Sequence, residues 1–97
     1  MRALVLLVLL AACDSPAPAM RGAERDEVVR NGRTYVVYHT RDTVEVIRMG
    51  YARRGEQLAI RAEMIDMVPV VTGCRLIESS IRGDSGEVRG KINCPGD

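Results

Sequence analysis

The sequence contains no phenylalanine and no tryptophan, and three tyrosines are the only aromatic residues among its 97. Aromatic rings supply much of the buried area in most protein cores. Valine, isoleucine, leucine and methionine must therefore fill the interior. A chain of this length supports at most one hydrophobic core, so we predict a single small domain with a thin core.

An excess of either charge is also lacking. The chain has 14 basic and 13 acidic residues, which gives a formal net charge of +1. Proteins that bind nucleic acids or anionic membranes through charge alone carry a clear basic excess. We therefore predict no nucleic-acid partner.

Histidine is represented only by His39. The sequence also has neither a G-x-S-x-G turn nor an H-E-x-x-H helix, the patterns that present a nucleophile or zinc ligands in many hydrolases. An isolated histidine at the end of a strand is typical of a solvated side chain. The sequence thus predicts no catalytic residue and a protein that is not an enzyme.

A long hydrophobic run is absent too, although a short one opens the chain. Arg2 is followed by ten apolar residues, 3–12, and then by the polar and proline-rich stretch DSPAPA. A helix that crosses a bilayer needs about 20 apolar residues. A basic residue before a shorter run is typical of a secretory signal peptide. We predict that residues 1–12 are a cleaved signal peptide.

The end of this run carries a motif. Leu10-Ala11-Ala12-Cys13 resembles the lipobox of bacterial lipoproteins, in which lipoprotein signal peptidase cuts before the cysteine. The resemblance implies that the Cys13 thiol receives a diacylglyceryl group and that the freed amine is acylated, for example with palmitate. Two or more acyl chains anchor a protein stably. The alternative is an ordinary signal peptide cut at an A-x-A-like site, with Cys13 a bystander.

The lipobox resemblance implies a location rather than an activity. It predicts a lipid-anchored protein of the bacterial cell envelope whose domain faces the periplasm. Asp14 is similar to an inner-membrane retention signal in some bacteria, so the choice between inner and outer membrane stays open. Residues 13–22, with Pro16 and Pro18 among small residues, predict a lipidated cysteine and a semi-extended tether. Residues 23–97 predict the domain.

Ligands for a metal ion are scarce. A structural zinc site takes four cysteine or histidine ligands, and only three such residues remain once the first cysteine carries lipid. Met64 and Met67, with Met49, could offer thioethers to Cu(I), but a helical methionine pair normally fills a core. Glu63 and Asp66 lie three residues apart without an evident third ligand. We predict neither a metal nor a cofactor.

The first part of the domain has the pattern of an antiparallel meander. Asn31-Gly32 lies between two β-prone runs, and this dipeptide favours a tight hairpin because both turn positions need positive φ. We predict strands near 26–30 and 33–40. The run VEVIRM at 44–49 is rich in β-branched residues and predicts a third strand.

Residues 53–68 fit two patterns. One is helical, with a single side formed by Leu58, Ala62 and Ile65. The other is the alternation of a strand, over Leu58, Ile60, Ala62 and Met64. Sixteen residues is long for a strand, the composition favours helix, and Pro69 provides a natural end. We predict a helix.

The last part predicts a second hairpin, in which residues 74–82 pair with 86–94. The register sets these residues opposite each other: Arg82 and Gly86, Leu76 and Ile92, Cys74 and Cys94. Direct partners in such a ladder have Cβ atoms about 4.5–5.5 Å apart, which is close to disulfide geometry. In an oxidising compartment we therefore expect a Cys74–Cys94 disulfide, with two reduced buried thiols as the alternative.

Together these elements predict an α+β fold. Its small antiparallel sheet has a three-stranded meander, one helix covers a face of the sheet, and a disulfide clamps a C-terminal hairpin. Two functional hypotheses follow. The first is a non-enzymatic, membrane-anchored envelope lipoprotein that acts as a small interaction or assembly module for an envelope protein. The alternative is a periplasmic ligand-binding or hydrolase-inhibitor protein that acts through an exposed loop, 82–86 or 40–43.

Overall fold

The computed structural model describes Met20 and residues 22–96. The leader, Cys13 and most of the tether lie outside these residues. The elements are, in order, β1 (Glu24–Arg30), β2 (Arg33–His39), β3 (Thr43–Arg48), α1 (Gln57–Thr72), β4 (Arg75–Leu76), a 3-10 turn (Glu78–Ser80), β5 (Arg82–Gly83) and β6 (Glu87–Asn93). The described chain is therefore α+β and rich in strand, with one α-helix.

The meander of β1, β2 and β3 is present as predicted. Asn31 and Gly32 occupy the hairpin turn with φ of 51° and 75°, and Arg30 pairs with Arg33 across it. Two successive positive φ angles match the right-handed twist of the flanking strands. Glycine adopts such angles freely and asparagine more readily than most residues, so this dipeptide sets the register of the hairpin.

The C-terminal strands do not form a separate hairpin; they complete the same sheet. The strand order is β1-β2-β3-β6-β4, with β5 also paired to β6, and all these pairs are antiparallel. β6 lies beside β3, with Val46 opposite Val88. The last strand therefore joins the meander to the disulfide-bonded end of the chain.

The predicted register of the last strands is right at the disulfide end and wrong at the turn end. Leu76 pairs with Ile92 as expected. Arg82, however, lies opposite Arg89 rather than Gly86. The pairing with β6 thus changes register between β4 and β5.

The 3-10 turn between β4 and β5 causes this change. The Ser80 hydroxyl accepts a hydrogen bond from the Lys91 backbone N–H at 2.8 Å, so a side chain takes the place of a strand carbonyl. Beyond the turn, Gly83 approaches β6 so closely that a Cβ at this position would overlap the carbonyl oxygen of Glu87. Its φ is 107°, which also favours glycine.

The predicted helix is confirmed, but it begins later than residue 53. α1 starts at Gln57 because the residues before it form a closed turn. The Glu56 carboxylate accepts a hydrogen bond from the Arg53 backbone N–H at 3.0 Å, and the Glu56 N–H donates to the Arg53 carbonyl at 3.1 Å. These two bonds hold the chain in a turn until the first helical residue.

The helix does not stop at Pro69 but continues through it to Thr72. The fixed φ of proline fits a helix, but Pro69 has no N–H to donate to the Ile65 carbonyl, and its ring crowds that carbonyl. The last turn is held by the Thr72 hydroxyl, which donates to the Val68 carbonyl at 2.7 Å. Gly73, at φ 74°, then donates its N–H to the Pro69 carbonyl and ends the helix.

The main core lies between α1 and one face of the sheet, which we call the inner face. It consists of Tyr35, Val37, Val44, Val46, Val88 and Ile92 from the sheet, Ile60, Met64, Met67 and Val68 from the helix, and Cys74. β-Branched residues and two methionines fill the space that larger rings fill in other proteins, as the composition predicts. Full burial of one such aliphatic side chain contributes roughly 1.5–3 kcal/mol.

The opposite, outer face of the sheet carries a smaller apolar cluster. Val36 and Tyr38 are buried there with Met20, and Ile47 packs against them. Met20 belongs to the predicted tether, yet it is only 2% exposed. The Ala23 backbone N–H donates to the Met20 carbonyl at 3.0 Å and turns the chain into β1. The tether therefore meets the domain on its outer face.

Cys74 and Cys94 form the predicted disulfide. Cys74 follows α1 and Cys94 follows β6, so the bond joins the end of the helix to the end of the last strand. The two residues are 20 positions apart. By the chain-entropy account, a cross-link over a loop of this size contributes about 3 kcal/mol.

Candidate functional site

The outward side of α1 is apolar. Leu58, Ala62, Ile65 and Pro69 recur every three or four positions and form one stripe along the helix, which we call the helix stripe. Leu58 is 85% exposed, Ala62 and Pro69 are exposed, and Ile65 is half-buried at the edge of the core. The helical spacing visible in the sequence is thus real, but this stripe points away from the sheet. The buried side is formed by Ile60, Met64, Met67 and Val68.

The charged side chains of α1 do not cover the helix stripe, because two of the three bind other parts of the domain. The Arg61 Nε donates to the Gly83 carbonyl at 3.2 Å, and Glu63 is bound by the first hairpin. Asp66 is the one charged residue of α1 that is exposed. Val70, which is 70% exposed, extends the apolar surface. A surface helix normally exposes a charged face to water. Because α1 is apolar on its outward side as well, it resembles a helix that is packed against protein on both sides.

The loop before α1 adds an aromatic ring and two arginines beside the start of the helix. Tyr51 is 99% exposed, and Arg53 and Arg54 are exposed. Glu56 holds this loop, because its carboxylate accepts a hydrogen bond from Arg33 at 2.6 Å. The Arg53 backbone N–H and the Arg33 side chain lower the pKa of Glu56, which keeps it ionised. Tyrosine and arginine are enriched at the energetic centres of protein interfaces.

A polar cluster fixes the orientation of α1 on the sheet. The Tyr35 hydroxyl donates to Oε1 of Glu63 at 2.5 Å, an Arg33 nitrogen lies 3.6 Å from the same oxygen, and the Asn31 side-chain amide donates to the other carboxylate oxygen. Burial and the hydrogen bond to Glu63 raise the pKa of Tyr35 to about 12. Rotation of α1 about its axis would break these bonds, so the cluster keeps the helix stripe facing outward.

A cleft of about 580 Å³ lies at the disulfide end of the domain. Its walls include the two cysteines, His39, Arg41 and Glu24. His39 lies at the end of β2 as predicted, but it is not simply solvated, because only 14% of its side chain is exposed. Its Nε2 lies 3.3 Å from Oδ2 of Asp26 and 3.5 Å from Oε2 of Glu24. Both carboxylates hold the ring in the wall of the cleft.

The two loops named in the inhibitor hypothesis, 40–43 and 82–86, are hydrogen-bonded turns. In the loop after β2, the Thr40 hydroxyl accepts a hydrogen bond from the Thr43 backbone N–H at 3.2 Å. In the loop between β5 and β6, the Asp84 carboxylate accepts one from the Gly86 N–H at 2.8 Å. This bond lowers the pKa of Asp84, so the turn stays closed over the neutral range. In both loops a side-chain oxygen therefore satisfies a backbone N–H of the turn.

Two carboxylates lie close together on the outer face. Glu45 on β3 is only 5% exposed. A hydrogen bond with Glu45 and partial burial raise the pKa of Glu87 on β6 to about 7. Glu87 therefore keeps its proton to a higher pH than an ordinary glutamate, because the neighbouring Glu45 and partial burial disfavour its ionised form. Arg89 lies 3.8 Å from Glu87 and opposes part of this effect.

The predicted site residues have different outcomes. Cys74 and Cys94 are joined as expected, whereas Cys13, the predicted lipid attachment site, lies outside the described residues. Within Met20 and residues 22–96, no three histidine, cysteine, aspartate or glutamate side chains are grouped so that they could hold a metal ion.

The methionines and the carboxylates of the helix do not come together either. Met64 and Met67 are fully buried in the core, whereas Met49 lies on the surface just after β3. Glu63 is bound to the first hairpin, whereas Asp66 is exposed on the outward side of α1. None of these residues forms a ligand set in the described chain.

Comparison with protein-family models, with curated proteins and with solved structures finds no match. In the part of the chain that the structure describes, no helix has both the length and the apolar character needed to cross a membrane. The helix stripe is apolar and largely exposed, although the core of this fold is formed by the other side of α1. We therefore take the stripe as the candidate functional site.

Proposed function

We propose that the protein is a membrane-anchored envelope lipoprotein whose domain binds another envelope protein without catalysing a reaction. The apolar helix stripe is the observation that carries this proposal. The anchor in the proposal is lipid on Cys13, which the lipobox resemblance supports. The domain then acts on the periplasmic side of the membrane, within the distance that residues 13–22 can span.

The energetics of the stripe favour a docking role. Single exposed apolar residues are common on protein surfaces, but Leu58 and Pro69 belong to a continuous stripe with Val70 beside it. Moving one aliphatic side chain from water into apolar contact contributes roughly 1.5–3 kcal/mol. A partner that covers Leu58 and Val70 therefore gains about 3–6 kcal/mol, which offsets part of the cost of association and leaves the rest to further contacts around the stripe.

The surroundings of the stripe define the partner's chemistry. Arg53 and Arg54 are exposed beside Tyr51, just before α1 begins. Guanidinium groups bind carboxylates through paired hydrogen bonds. We infer a partner surface that is apolar at its centre and carries carboxylates at its edge. The apolar centre supplies affinity, and the charged edge supplies specificity and a faster association rate.

The anchor is tested by the mass of the mature protein. Purified from membranes, the chain should begin at Cys13 and carry the added mass of a diacylglyceryl group and an acyl chain. Cys13→Ser should remove that added mass and prevent cleavage before position 13. A mature chain with an unmodified Cys13, or an intact precursor free in the cytosol, contradicts the anchored function.

The partner contact is tested in living cells with a photoreactive amino acid at Ala62, in the middle of the helix stripe. We expect a cross-link to one envelope protein. Leu58→Gln should abolish that cross-link. Val29→Gln is the matched control, because Val29 is also apolar and exposed, at 67%, but lies on β1.

The cross-linked protein, once identified, is purified and mixed with the mature lipoprotein. Binding should weaken about tenfold or more in Leu58→Gln and in Arg53→Glu/Arg54→Glu, and not in Val29→Gln. Cross-links only between two copies of this chain, only to its own N-terminal segment or only to lipid contradict the proposal. Equal binding by all variants does so too.

The cleft beside the disulfide favours a second candidate, a periplasmic ligand-binding protein. Its volume of about 580 Å³ is within the range of small-molecule sites, and the polar residues Arg41 and His39 belong to its wall. This candidate is supported if the purified wild-type protein and Leu58→Gln retain a ligand that His39→Ala loses.

The hydrolase-inhibitor form of the alternative is tested with the same photoreactive amino acid. Cross-links from the loops at Thr40 or Ser85 instead of Ala62 would favour it.

A further inference from the structure

Positive charge is concentrated in a groove on the outer face of the sheet. The groove has a volume of about 320 Å³ and is lined by Thr43, Ser80, Arg82, Arg89, Gly90 and Lys91. Three of these residues are cations and none is an acid. In a chain whose formal net charge is only +1, this is a local excess that points to an anionic ligand.

The sheet register forces two of these cations together. Arg82 and Arg89 are direct partners across β5 and β6. Like charges directly opposite in an antiparallel pair are destabilising, so an anion between them would remove a repulsion that the fold otherwise carries. The Arg82 side chain donates to the Ser79 and Ile81 carbonyls at 3.2 and 2.9 Å, which positions it without neutralising it.

Nearby acids compensate the groove only in part. Glu45 lies opposite Arg89 across β3 and β6, but it is nearly buried and hydrogen-bonds with Glu87. Glu87 lies 3.8 Å from Arg89, which is long for an ion pair, and it is the residue whose pKa is raised to about 7. The charge of Lys91 contributes to lowering the pKa of Asp42, so the two groups interact. The Asp42 carboxylate, however, accepts hydrogen bonds from the Thr43 and Thr40 hydroxyls and does not line the groove.

The groove lies on the face where the tether meets the domain. Arg89 and Glu45 are register partners, as are Glu87 and Ile47, so these side chains share the outer face. Ile47 packs with the cluster that buries Met20. Met20 follows Cys13 by seven residues, which span at most about 25 Å when fully extended. A tether of this length would hold its attachment point on the outer face within about 25 Å of the bilayer.

We propose that this groove binds the phosphate of an anionic phospholipid, with the outer face of the sheet on the membrane and the helix stripe pointing away from it. The proposal rests on the anchored function, because lipid on Cys13 brings the groove to the bilayer. Guanidinium groups bind phosphate oxygens through paired hydrogen bonds, and lysine adds a mobile point charge. One face of the domain then binds lipid while the other is free for a protein partner.

The site is tested on the full mature protein in a non-ionic detergent. The probe is dihexanoyl phosphatidylglycerol, a short-chain lipid used as a monomer. Dihexanoyl phosphatidylcholine and inorganic phosphate are the comparison ligands. We expect phosphatidylglycerol to raise the melting temperature saturably, and the other two ligands to need about tenfold higher concentration or more for the same shift.

Two double variants identify the residues. Arg89→Gln/Lys91→Gln should need about tenfold more phosphatidylglycerol for the same shift. Arg30→Gln/Arg75→Gln removes the same charge from β1 and β4 and should behave as wild type. The melting temperature without lipid shows whether each variant folds. Equal responses of the two double variants, or equal responses to the two lipids, overturn the proposal. A full response to inorganic phosphate at the same concentration assigns the groove to free phosphate and overturns the lipid.

A second measurement separates this site from the anchor. In nanodiscs that contain a phospholipid with a photoreactive headgroup, label should appear in residues 82–91 and not on the helix stripe; label on the stripe overturns the orientation. If Cys13 proves unmodified, the anchored function fails, but the detergent titration still reports on the groove. If the titration fails while Cys13 carries lipid, the groove alone is overturned.

Discussion

The hydroxyl of Tyr35 on β2 donates a hydrogen bond to the carboxylate of Glu63 on α1 at 2.5 Å, and this contact joins the two layers of the domain. Tyr35 is fully buried, and only 12% of the Glu63 side chain is exposed. A carboxylate that is largely removed from water destabilises the fold unless hydrogen-bond donors surround it. Arg33 and Asn31 provide the others, so this contact lies at the centre of the cluster that orients α1.

Tyr35→Phe should lower the free energy of unfolding by about 1.5–3 kcal/mol, the usual contribution of a hydrogen bond to a charged group. The ring and its packing remain, so the change isolates the hydroxyl. Urea denaturation measures the effect. Tyr51→Phe is the control, because it removes a hydroxyl from a ring that is 99% exposed. Equal effects of the two substitutions would show that the Tyr35 bond contributes nothing specific.

Glu87 should make the domain less stable as the pH rises. The hydrogen bond with Glu45 and partial burial raise its folded-state pKa from 4.5 to about 7. A raised folded-state pKa contributes stability that is fully present below the unfolded pKa and is lost as the pH rises through the folded pKa. Wild-type stability should therefore carry a declining component between about pH 5 and about pH 8.

Glu87→Gln should remove this declining component, which thermal melts over a series of pH values measure. Glu27→Gln is the control: it removes a glutamate that is exposed on β1, in the same row of the outer face. The wild type and Glu27→Gln should lose stability in parallel, while Glu87→Gln should not. Three parallel curves would contradict the assignment to Glu87.

The disulfide should supply a large share of the domain's stability. Cys74→Ser/Cys94→Ser should lower the free energy of unfolding by about 3 kcal/mol, which lowers the melting temperature of a domain of this size by on the order of 15 °C. Cys13→Ser, outside the described domain, should leave the melting temperature unchanged. A double variant that melts with the wild type would show that other contacts hold the chain ends together.

Local patterns in the sequence predict the elements whose chemistry is local. Asn31-Gly32 identifies the hairpin because a two-residue turn needs positive φ at both positions, and this dipeptide adopts such angles more readily than most. The pairing of Leu76 with Ile92, and with it the Cys74–Cys94 bond, is right although the predicted register at the turn is wrong. The 3-10 turn shifts the pairing with β6 between β5 and β4, and this shift cancels the error made at the turn.

The neighbour of β6 could not be predicted in the same way. Alternation shows which residues of β6 face a core, but it does not show which strand lies beside them. The pairing of Val88 with Val46 depends on the whole sheet. Met20 is a similar case, because the proline-rich composition around it indicates a tether and gives no sign of its burial on Val36 and Tyr38.

The helix stripe was visible in the sequence, but its direction was not. Leu58, Ala62 and Ile65 have helical spacing, and so have Ile60, Met64 and Met67 on the other side of α1. Periodicity cannot choose between two apolar sides of one helix. The signal that could have revealed an exposed apolar side is the scarcity of charge, since α1 has only three charged residues among 16.

Gly83 should be the glycine least tolerant of substitution. Gly83→Ala adds a Cβ that overlaps the Glu87 carbonyl oxygen at a φ of 107°, so β5 must separate from β6. We expect a loss of more than about 1 kcal/mol in chemical denaturation. Gly96→Ala is the control, because Gly96 has a φ of 84° but open space around it. A larger loss from Gly96→Ala would contradict the close approach of β5 to β6.

Met64 and Leu58 should separate folding from binding on the same helix. Met64 is fully buried against the sheet, so Met64→Ala should lower the free energy of unfolding by about 2–5 kcal/mol. Leu58 is 85% exposed, so Leu58→Ala should change it by less than about 0.5 kcal/mol. Partner affinity should show the opposite order, with Leu58→Ala weakening it while folded Met64→Ala retains it. If Leu58→Ala destabilised the domain as strongly as Met64→Ala, the helix stripe would belong to the core, and the docking surface would lose its physical basis.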